Sequence, residues 1–161
     1  MAADLIDNIV KNLFAKLDVK GMTISSAESC TGGLIANWIT DIPGSSKYFM
    51  GGVVSYSNDS KINVLGVERD LIIKYGAVSE QVASQMASGI RKIMKADIGV
   101  STTGIAGPDG GSPVKPVGLC YIGIAIGNGI EVQRFIFEGH RLAVKETASI
   151  QAIKNVLSNL A

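Results

Sequence analysis

Cysteine and charge are both scarce in this chain of 161 residues. The two cysteines, Cys30 and Cys120, lack any Cys-x-x-Cys spacing, which argues against a disulfide scaffold and against a zinc site. We therefore expect a metal-free protein of the reducing cytoplasm. Charged residues make up 18% of the chain and the formal net charge is +1, so the basic field that nucleic acid or an anionic membrane requires is missing. This balance predicts no direct nucleic-acid partner and no membrane partner.

Long apolar runs are missing as well, although 47% of the residues are hydrophobic. No run approaches the roughly 20 residues that span a bilayer. The first seven residues, Met-Ala-Ala-Asp-Leu-Ile-Asp, include an acidic residue at position 4 and lack the positively charged n-region of a signal peptide, so we expect no signal peptide. The length fits one domain over residues 1–161, with a substantial single core.

Helical and strand-like patterns alternate over the first two thirds of the chain, and a hairpin pattern follows. The predicted helices cover residues 4–17, 34–41, a short stretch around 58–65, 70–75, 79–94 and the segment after residue 141. The predicted strands are 22–26, 48–56, 96–102, 117–126 and 130–138. In the second of them Gly51 and Gly52 predict a bulge or a close approach of the backbone. This order predicts an α/β fold, a three-layer α/β/α sandwich with a mixed sheet of about five strands.

The segment 25–33 reads Ser-Ser-Ala-Glu-Ser-Cys-Thr-Gly-Gly, between a β-branched run and an apolar helical pattern. It predicts a strand, a tight turn and a helix N-terminus whose unpaired N–H groups can hold an anion or an oxyanion. Ser29 would then project its hydroxyl where negative charge is best tolerated. Cys30 competes for the role of nucleophile, because a thiol at a helix N-terminus has a lowered pKa. The plainer interpretation is that Ser29 or Thr31 only caps the helix.

A serine nucleophile needs a base within hydrogen-bond reach, and the sequence offers two. His140, the single histidine, lies beside Arg141, which disfavours a second positive charge. Lys61 acts as a base only if burial or a nearby cation lowers its pKa. Tyr56, five residues earlier, would enclose Lys61 and relay a proton; otherwise Lys61 is a solvated helix lysine.

A loop rich in glycine and proline covers residues 103–113. It lacks the trailing Lys-Ser/Thr of a P-loop and is not a Gly-x-Gly-x-x-Gly motif, so it does not support triphosphate or dinucleotide binding. Its glycines, beside Thr103 and Asp109, can offer N–H and hydroxyl groups to a phosphate or a ribose; the plainer interpretation is a surface turn. In an α/β sheet such polar segments at element ends gather in one crevice. Those segments are 29–33, 56–61, 103–111 and 139–141.

Four unusual motifs occur in order along nearly the whole chain: Ala27-Glu28-Ser29-Cys30-Thr31-Gly32-Gly33, Tyr56-Ser57-Asn58 with Lys61 and Leu65-Gly66-Val67, Gly76-Ala77-Val78-Ser79, and Gly104-Ile105-Ala106-Gly107-Pro108-Asp109-Gly110-Gly111. Together they resemble the CinA C-terminal domain family. The resemblance implies hydrolysis of the carboxamide of nicotinamide mononucleotide to nicotinate mononucleotide and ammonia, in pyridine-nucleotide salvage. It also implies a homo-oligomer, a dimer, and no cofactor.

Carried over by motif, the family's nucleophile falls on Ser29 and its general base on Lys61, with Tyr56 beside them. Thr103 and Arg141 match positions that contact substrate. The other candidate substrate-binding residues are Cys30, Thr31, Gly32, Gly104, Ala106 and Gly107. In the implied reaction Lys61, directly or through Tyr56, removes the Ser29 proton, and Ser29 attacks the amide carbon. Helix N-terminal N–H groups hold the oxyanion, ammonia leaves, and water resolves the acyl-enzyme.

The chain departs from the family at one point, because the family commonly shows Gly-Asp-Arg where this chain has Gly139-His140-Arg141. If that acid orients Arg141, substrate affinity would be weaker here, or dependent on pH near the histidine pKa of about 6.5. Two alternatives to an enzyme stay open at this point. One is a nucleotide-binding module without turnover, and the other is a competence-related interaction module.

Overall fold

A computed structural model describes residues 2–161, and within that range the chain forms six α-helices and five strands. In chain order they are α1 (Ala2–Lys20), β1 (Ile24–Glu28), α2 (Leu34–Thr40), β2 (Phe49–Val54), α3 (Asn58–Asn63), α4 (Arg69–Tyr75), α5 (Glu80–Met94), β3 (Ile98–Gly104), β4 (Leu119–Ile126), β5 (Gly129–Ile136) and α6 (Arg141–Asn159). None of the helices in the described range is long and apolar enough to cross a bilayer.

The strands form one mixed sheet in the order β2-β1-β3-β4-β5. Strand β1 pairs parallel to both β2 and β3, whereas the β3–β4 and β4–β5 pairs are antiparallel. Each parallel strand is reached through a helical crossover, because a parallel return needs a long connection. The predicted α/β class with a mixed sheet of about five strands is therefore confirmed.

Helix α5 covers one face of the sheet, and α1, α2 and α6 cover the other. The cluster under α5 is made of Ala27, Leu65, Val67, Val82, Met86 and Ile90. A larger cluster on the opposite face includes Leu13, Ile39, Ile98, Ile122 and Ile153. Both faces of the central strands β1, β3 and β4 are thus buried, which gives the three predicted layers, whereas β5 at the edge is mostly exposed.

Glycines let α5 approach its neighbours closely. A Cβ at Gly99 of β3 would lie 2.1 Å from the carbonyl oxygen of Ala87, and one at Gly89 would lie 2.1 Å from that of Leu65. Real Cβ atoms do not come so near to backbone, so both positions require glycine. At both glycines, α5 packs directly against the neighbouring backbone.

The sheet deviates from regular pairing at the predicted bulge. Ile24 pairs with Phe49 but Ser25 pairs with Gly51, so Met50 is the extra residue, and Gly51 has φ +148°. The predicted bulge is confirmed. Strand β1 begins two residues later than predicted and ends at Glu28, because its pairing with β3 runs from Ile24 to Glu28. This shift places Ser29 directly after the strand.

Candidate active site

The carboxyl ends of the parallel strands β1, β2 and β3 meet at one edge of the sheet, and a cavity of about 290 Å³ opens there. Helix α6 begins at the same edge, because β5 ends opposite the start of β4. The sequence-predicted residues that line the cavity are Ser29, Cys30, Tyr56, Lys61, Thr103, Gly104, Ala106, Gly107 and Arg141. Six further lining residues were not among the predicted site residues: Asn58, Ala77, Val78, Ile105, Asp109 and Gly110.

Ser29 and Lys61 make the central contact of the cavity. The Nζ atom of Lys61 lies 3.0 Å from the Oγ atom of Ser29, and it donates to the Ser55 carbonyl at 2.7 Å. The Ser29 N–H in turn donates to the Thr102 carbonyl on β3, which ties the turn to the sheet. Among the described residues no carboxylate lies within ion-pair distance of Lys61. A buried amine therefore faces a hydroxyl without a neutralising acid.

Lys61 is only 1% exposed, so the interpretation as a solvated helix lysine is wrong. Helix α3 begins after Ser57, whose Oγ accepts from the Ser60 N–H and caps the helix. This start turns Lys61 inward. Burial lowers the pKa of the Lys61 ammonium, and the charge on an ionised Cys30 opposes this to a smaller extent. The lowered pKa increases the fraction of Lys61 that is neutral, and a neutral amine can take a proton from Ser29.

Cys30 turns away from this contact and into the core. Its Sγ lies 3.8 Å from the Sγ of Cys120, a residue of β4 that is 90 positions away in the chain. The contact with Cys120 lowers the pKa of the Cys30 thiol, and the same contact together with burial raises the pKa of Cys120. No nitrogen base within the described residues bonds to Cys30. The geometry therefore favours Ser29 over Cys30 as the nucleophile.

The turn between β1 and α2 is held by a buried carboxylate. Glu28 accepts from the Ile35 N–H at 2.9 Å, from the Ala36 N–H at 3.1 Å and from the Thr31 hydroxyl at 2.6 Å. The expectation that N–H groups at this helix terminus hold an oxyanion is thus wrong for those of Ile35 and Ala36, since Glu28 already occupies them. Helix α2 itself starts only at Leu34.

Thr31 and Gly32 do not belong to the cavity lining, contrary to their prediction as substrate-binding residues. Thr31 is buried, and its hydroxyl is shared between Glu28 and Thr102. Gly32 has φ +63° and faces the Lys145 ammonium on α6. The N-cap residue of α2 is Gly33, and no side chain caps the helix there, so the plainer interpretation of Ser29 or Thr31 as a cap also fails. Thr31 and Gly32 shape the turn that carries Ser29.

Arg141, the first residue of α6, spans the mouth of the cavity. Its Nη1 donates to the Gly107 carbonyl at 2.7 Å and its Nη2 to the Tyr56 hydroxyl at 2.8 Å. Tyr56 is 61% exposed, and it offers Lys61 only its carbonyl oxygen, at 3.5 Å. The Tyr56 ring therefore neither encloses Lys61 nor stands as a proton relay between Lys61 and Ser29, which touch directly.

His140 is the N-cap residue of α6. Its Nδ1 accepts from the Ala143 N–H at 3.3 Å, and it does not line the cavity. The alternative of His140 as the base for Ser29 is therefore wrong. The position also explains the departure from Gly-Asp-Arg: aspartate is a favoured N-cap residue, and here a histidine nitrogen accepts in its place. The partners that orient Arg141 are Gly107 and Tyr56, not residue 140.

The loop after β3 folds back over the cavity. Thr103 donates its hydroxyl to the Ala77 carbonyl at 2.8 Å, and a Cβ at Gly104 would lie 2.6 Å from the Leu119 carbonyl oxygen. Asp109 and Asn58 add polar side chains from opposite segments. Both lie inside the motifs that carry the family resemblance, which was the available signal for them. Residues 2–161 contain no group of three or more His, Cys, Asp or Glu side chains that could hold a metal ion.

Comparison with known proteins places these features in a family. The family model described as CinA C-terminal domain matches residues 6–160. A relative from Halothermothrix orenii whose name marks it as competence-damage inducible is 57% identical over 126 residues, which are 78% of this chain and 30% of that protein. A CinA-like protein from Kosmotoga olearia is 47% identical over 148 residues, 92% of this chain and 35% of that protein. The chain spans about a third of the length of these curated relatives.

Two solved structures have the same fold as this protein over nearly the whole chain. The competence or damage-inducible protein from Enterobacter asburiae has a TM-score of 0.93 at 31% identity, covering 97% of this chain and 98% of that one. The competence/damage inducible protein CihA from Agrobacterium tumefaciens has a TM-score of 0.92 at 37% identity, covering 95% and 94%. The matched range of the family model, residues 6–160, includes every lining residue of the cavity.

Proposed function

The chain belongs to the CinA C-terminal domain family, and on that premise we propose that it hydrolyses the carboxamide of nicotinamide mononucleotide to nicotinate mononucleotide and ammonia. The observation that carries the proposal is the 3.0 Å contact between the Lys61 amine and the Ser29 hydroxyl in the cavity. A buried lysine with a lowered pKa, and with no acidic partner among residues 2–161, is suited to activate serine. The near-neutral charge of the chain does not favour the alternative of direct DNA contact.

In the first step neutral Lys61 takes the proton of the Ser29 hydroxyl, and Ser29 Oγ attacks the carboxamide carbon. The N–H of Cys30 directly follows the nucleophile and donates to no backbone carbonyl of the described residues. We assign it to the developing oxyanion, as is usual for the residue after a nucleophile on a strand-to-helix turn. This replaces the α2 terminus, where Glu28 holds the N–H groups of Ile35 and Ala36.

The Lys61 ammonium formed in that step then gives its proton to the leaving nitrogen, and ammonia departs. Water attacks the resulting Ser29 acyl ester, with Lys61 again taking a proton, and releases the carboxylate product. The Ser55 carbonyl accepts from Nζ and holds the amine in place through both steps. No metal or cofactor is part of this proposal.

The cavity is of a size that takes a small polar ligand. Arg141 donates two of its five N–H groups to Gly107 and Tyr56, so three remain for a phosphate. Asp109 and Asn58 carry acceptors suited to ribose hydroxyls. We accordingly place the nucleotide with its carboxamide at Ser29 and its phosphate near Arg141.

Ammonia release from nicotinamide mononucleotide tests the proposal in four proteins: wild type, Ser29→Ala, Lys61→Ala and Cys30→Ala. We expect Ser29→Ala and Lys61→Ala to lose about 10²- to 10⁴-fold in kcat/KM, and Cys30→Ala to lose less than about tenfold. A Cys30→Ala loss as deep as that of Ser29→Ala would reverse the nucleophile assignment. Saturable binding of nicotinamide mononucleotide by wild type without ammonia release would instead establish a binding module. The dimer and the cytoplasmic location stay predictions.

A further inference from the structure

Two buried thiols lie beside the nucleophile and take no part in the proposed reaction. Cys30 follows Ser29 directly, and its Sγ is 3.8 Å from the Sγ of Cys120 on β4. The sulfur atoms of a disulfide are about 2.05 Å apart, so a bond requires them to approach by less than about 2 Å. The spacing of the two residues in the sequence excludes them as a scaffold pair, yet the fold brings them into contact.

The two buried thiols differ in their relation to the cavity. Cys30 lines the cavity and is 7% exposed, whereas Cys120 is 1% exposed and lies behind it. A molecule as small as hydrogen peroxide fits a cavity of about 290 Å³. The contact with Cys120 also lowers the pKa of Cys30, and thiolate character is what makes a cysteine reactive toward oxidants. Cys30, the thiol whose residue lines the cavity, is thus also the one with the greater thiolate character.

We propose that Cys30 and Cys120 form an oxidation site at which a peroxide converts the two thiols into a disulfide. The Cys30 thiol loses its proton, its thiolate attacks one oxygen of the peroxide, and the O–O bond breaks. Cys30 becomes a sulfenic acid, and the other oxygen leaves as hydroxide, which takes up the released proton and becomes water. The Cys120 sulfur then attacks the Cys30 sulfur, the S–S bond forms, and the sulfenic oxygen leaves as a second water. Two thiols are oxidised and one peroxide is reduced.

The disulfide would act on the site through the backbone of Cys30. Drawing its Sγ toward β4 moves the turn that carries Ser29, and the 3.0 Å contact to Lys61 opens. A displacement of about 1 Å at a reacting group can lower the rate by about 10²-fold. This consequence rests on the proposed amidase function, whereas the formation of the disulfide does not. We expect at least a tenfold loss of ammonia release, reversed by a thiol reductant.

The test treats wild type and Cys120→Ala with hydrogen peroxide and reads intact mass, free thiols and ammonia release before and after reduction. We expect wild type to lose both thiols together, with the mass falling by two hydrogen atoms, and its activity to fall and recover. Cys120→Ala lies outside the proposed machinery, so it keeps its basal activity, and it forms no intramolecular bond. Peptide mapping of the oxidised wild type should link Cys30 to Cys120.

Two results would overturn the proposal. One is wild type that keeps both thiols while peroxide is consumed, and the other is wild type that gains oxygen at Cys30 with the Cys120 thiol intact. A disulfide that forms without any change in ammonia release would refute the coupling to Ser29. If wild type releases no ammonia at all but the mass and thiol readings show the bond, the oxidation site stands and the proposed amidase function fails.

Discussion

Replacing Lys61 with methionine separates the electrostatics of the site from its packing. Methionine has a similar length and no charge, so it fills the same buried space without a base. Burial lowers the pKa of Lys61 in the folded protein below the value of about 10.4 that it takes when unfolded. Between those two pKa values the unfolded chain holds a proton that the folded chain has released.

The sign of the pH dependence follows from that proton. Because the unfolded state binds more protons in this window, the free energy of unfolding of wild type rises with pH there, by up to about 1.4 kcal/mol per pH unit. Below the folded pKa of Lys61 both states are protonated, and the folded state carries the full penalty of the buried charge. In Lys61→Met this contribution is absent at every pH.

Urea denaturation of wild type and Lys61→Met at a series of pH values from about 7 to 10 measures the difference, and subtraction cancels the other titrating groups. Lys61→Met also leaves the Ser55 carbonyl without its donor, which costs about 1–3 kcal/mol at all pH values. The exposed Lys92→Met serves as control and should show no such pH-dependent difference.

The pH dependence of kcat/KM provides a second test of the lowered Lys61 pKa. Only neutral Lys61 can accept the Ser29 proton, so kcat/KM of wild type should rise about tenfold per pH unit until the folded pKa is reached. Lys61→Met should lose about 10²- to 10⁴-fold at the plateau. A stability difference that stays constant with pH, together with a variant that keeps more than a tenth of wild-type kcat/KM, would refute the reasoning.

Three further predictions use the same assays. Gly89→Ala should lower the free energy of unfolding by at least about 2 kcal/mol despite the better helix propensity of alanine, because the new Cβ would meet the Leu65 carbonyl. The control Ser88→Ala, one position away, should not lower it by this amount. Equal stability of the two variants would contradict the packing argument. Ser26→Ala should be neutral or more stable by about 1 kcal/mol in urea, since its buried hydroxyl has no partner among residues 2–161; a clear loss would mean that the hydroxyl is satisfied in solution. Arg141→Lys should raise KM for nicotinamide mononucleotide by about tenfold with kcat less affected, because lysine lacks the planar fork; an unchanged KM would remove Arg141 from substrate binding.

The amino-acid sequence was sufficient to predict the helices and strands and the segments that supply the residues of the site. Apolar spacing predicted the helices, and glycine placed the β2 bulge, because both depend on residues close together in the chain. Polar motifs at strand ends predicted that 29–33, 56–61, 103–111 and 139–141 contribute to one crevice, and a residue from each lines the cavity. These inferences need only local pattern and the rule that parallel strands end at one edge.

The state of each side chain was decided by tertiary structure. Spacing alone favoured a solvated Lys61, and only the tertiary structure buries it, with Nζ between the Ser29 hydroxyl and the Ser55 carbonyl. The same holds for Glu28, which closes the terminus of α2, and for Cys30, which meets Cys120 from a strand 90 residues away. Burial and contact between remote residues depend on the path of the whole chain, so desolvation, pKa and thiol pairing emerge only when the sheet and its covering helices are assembled.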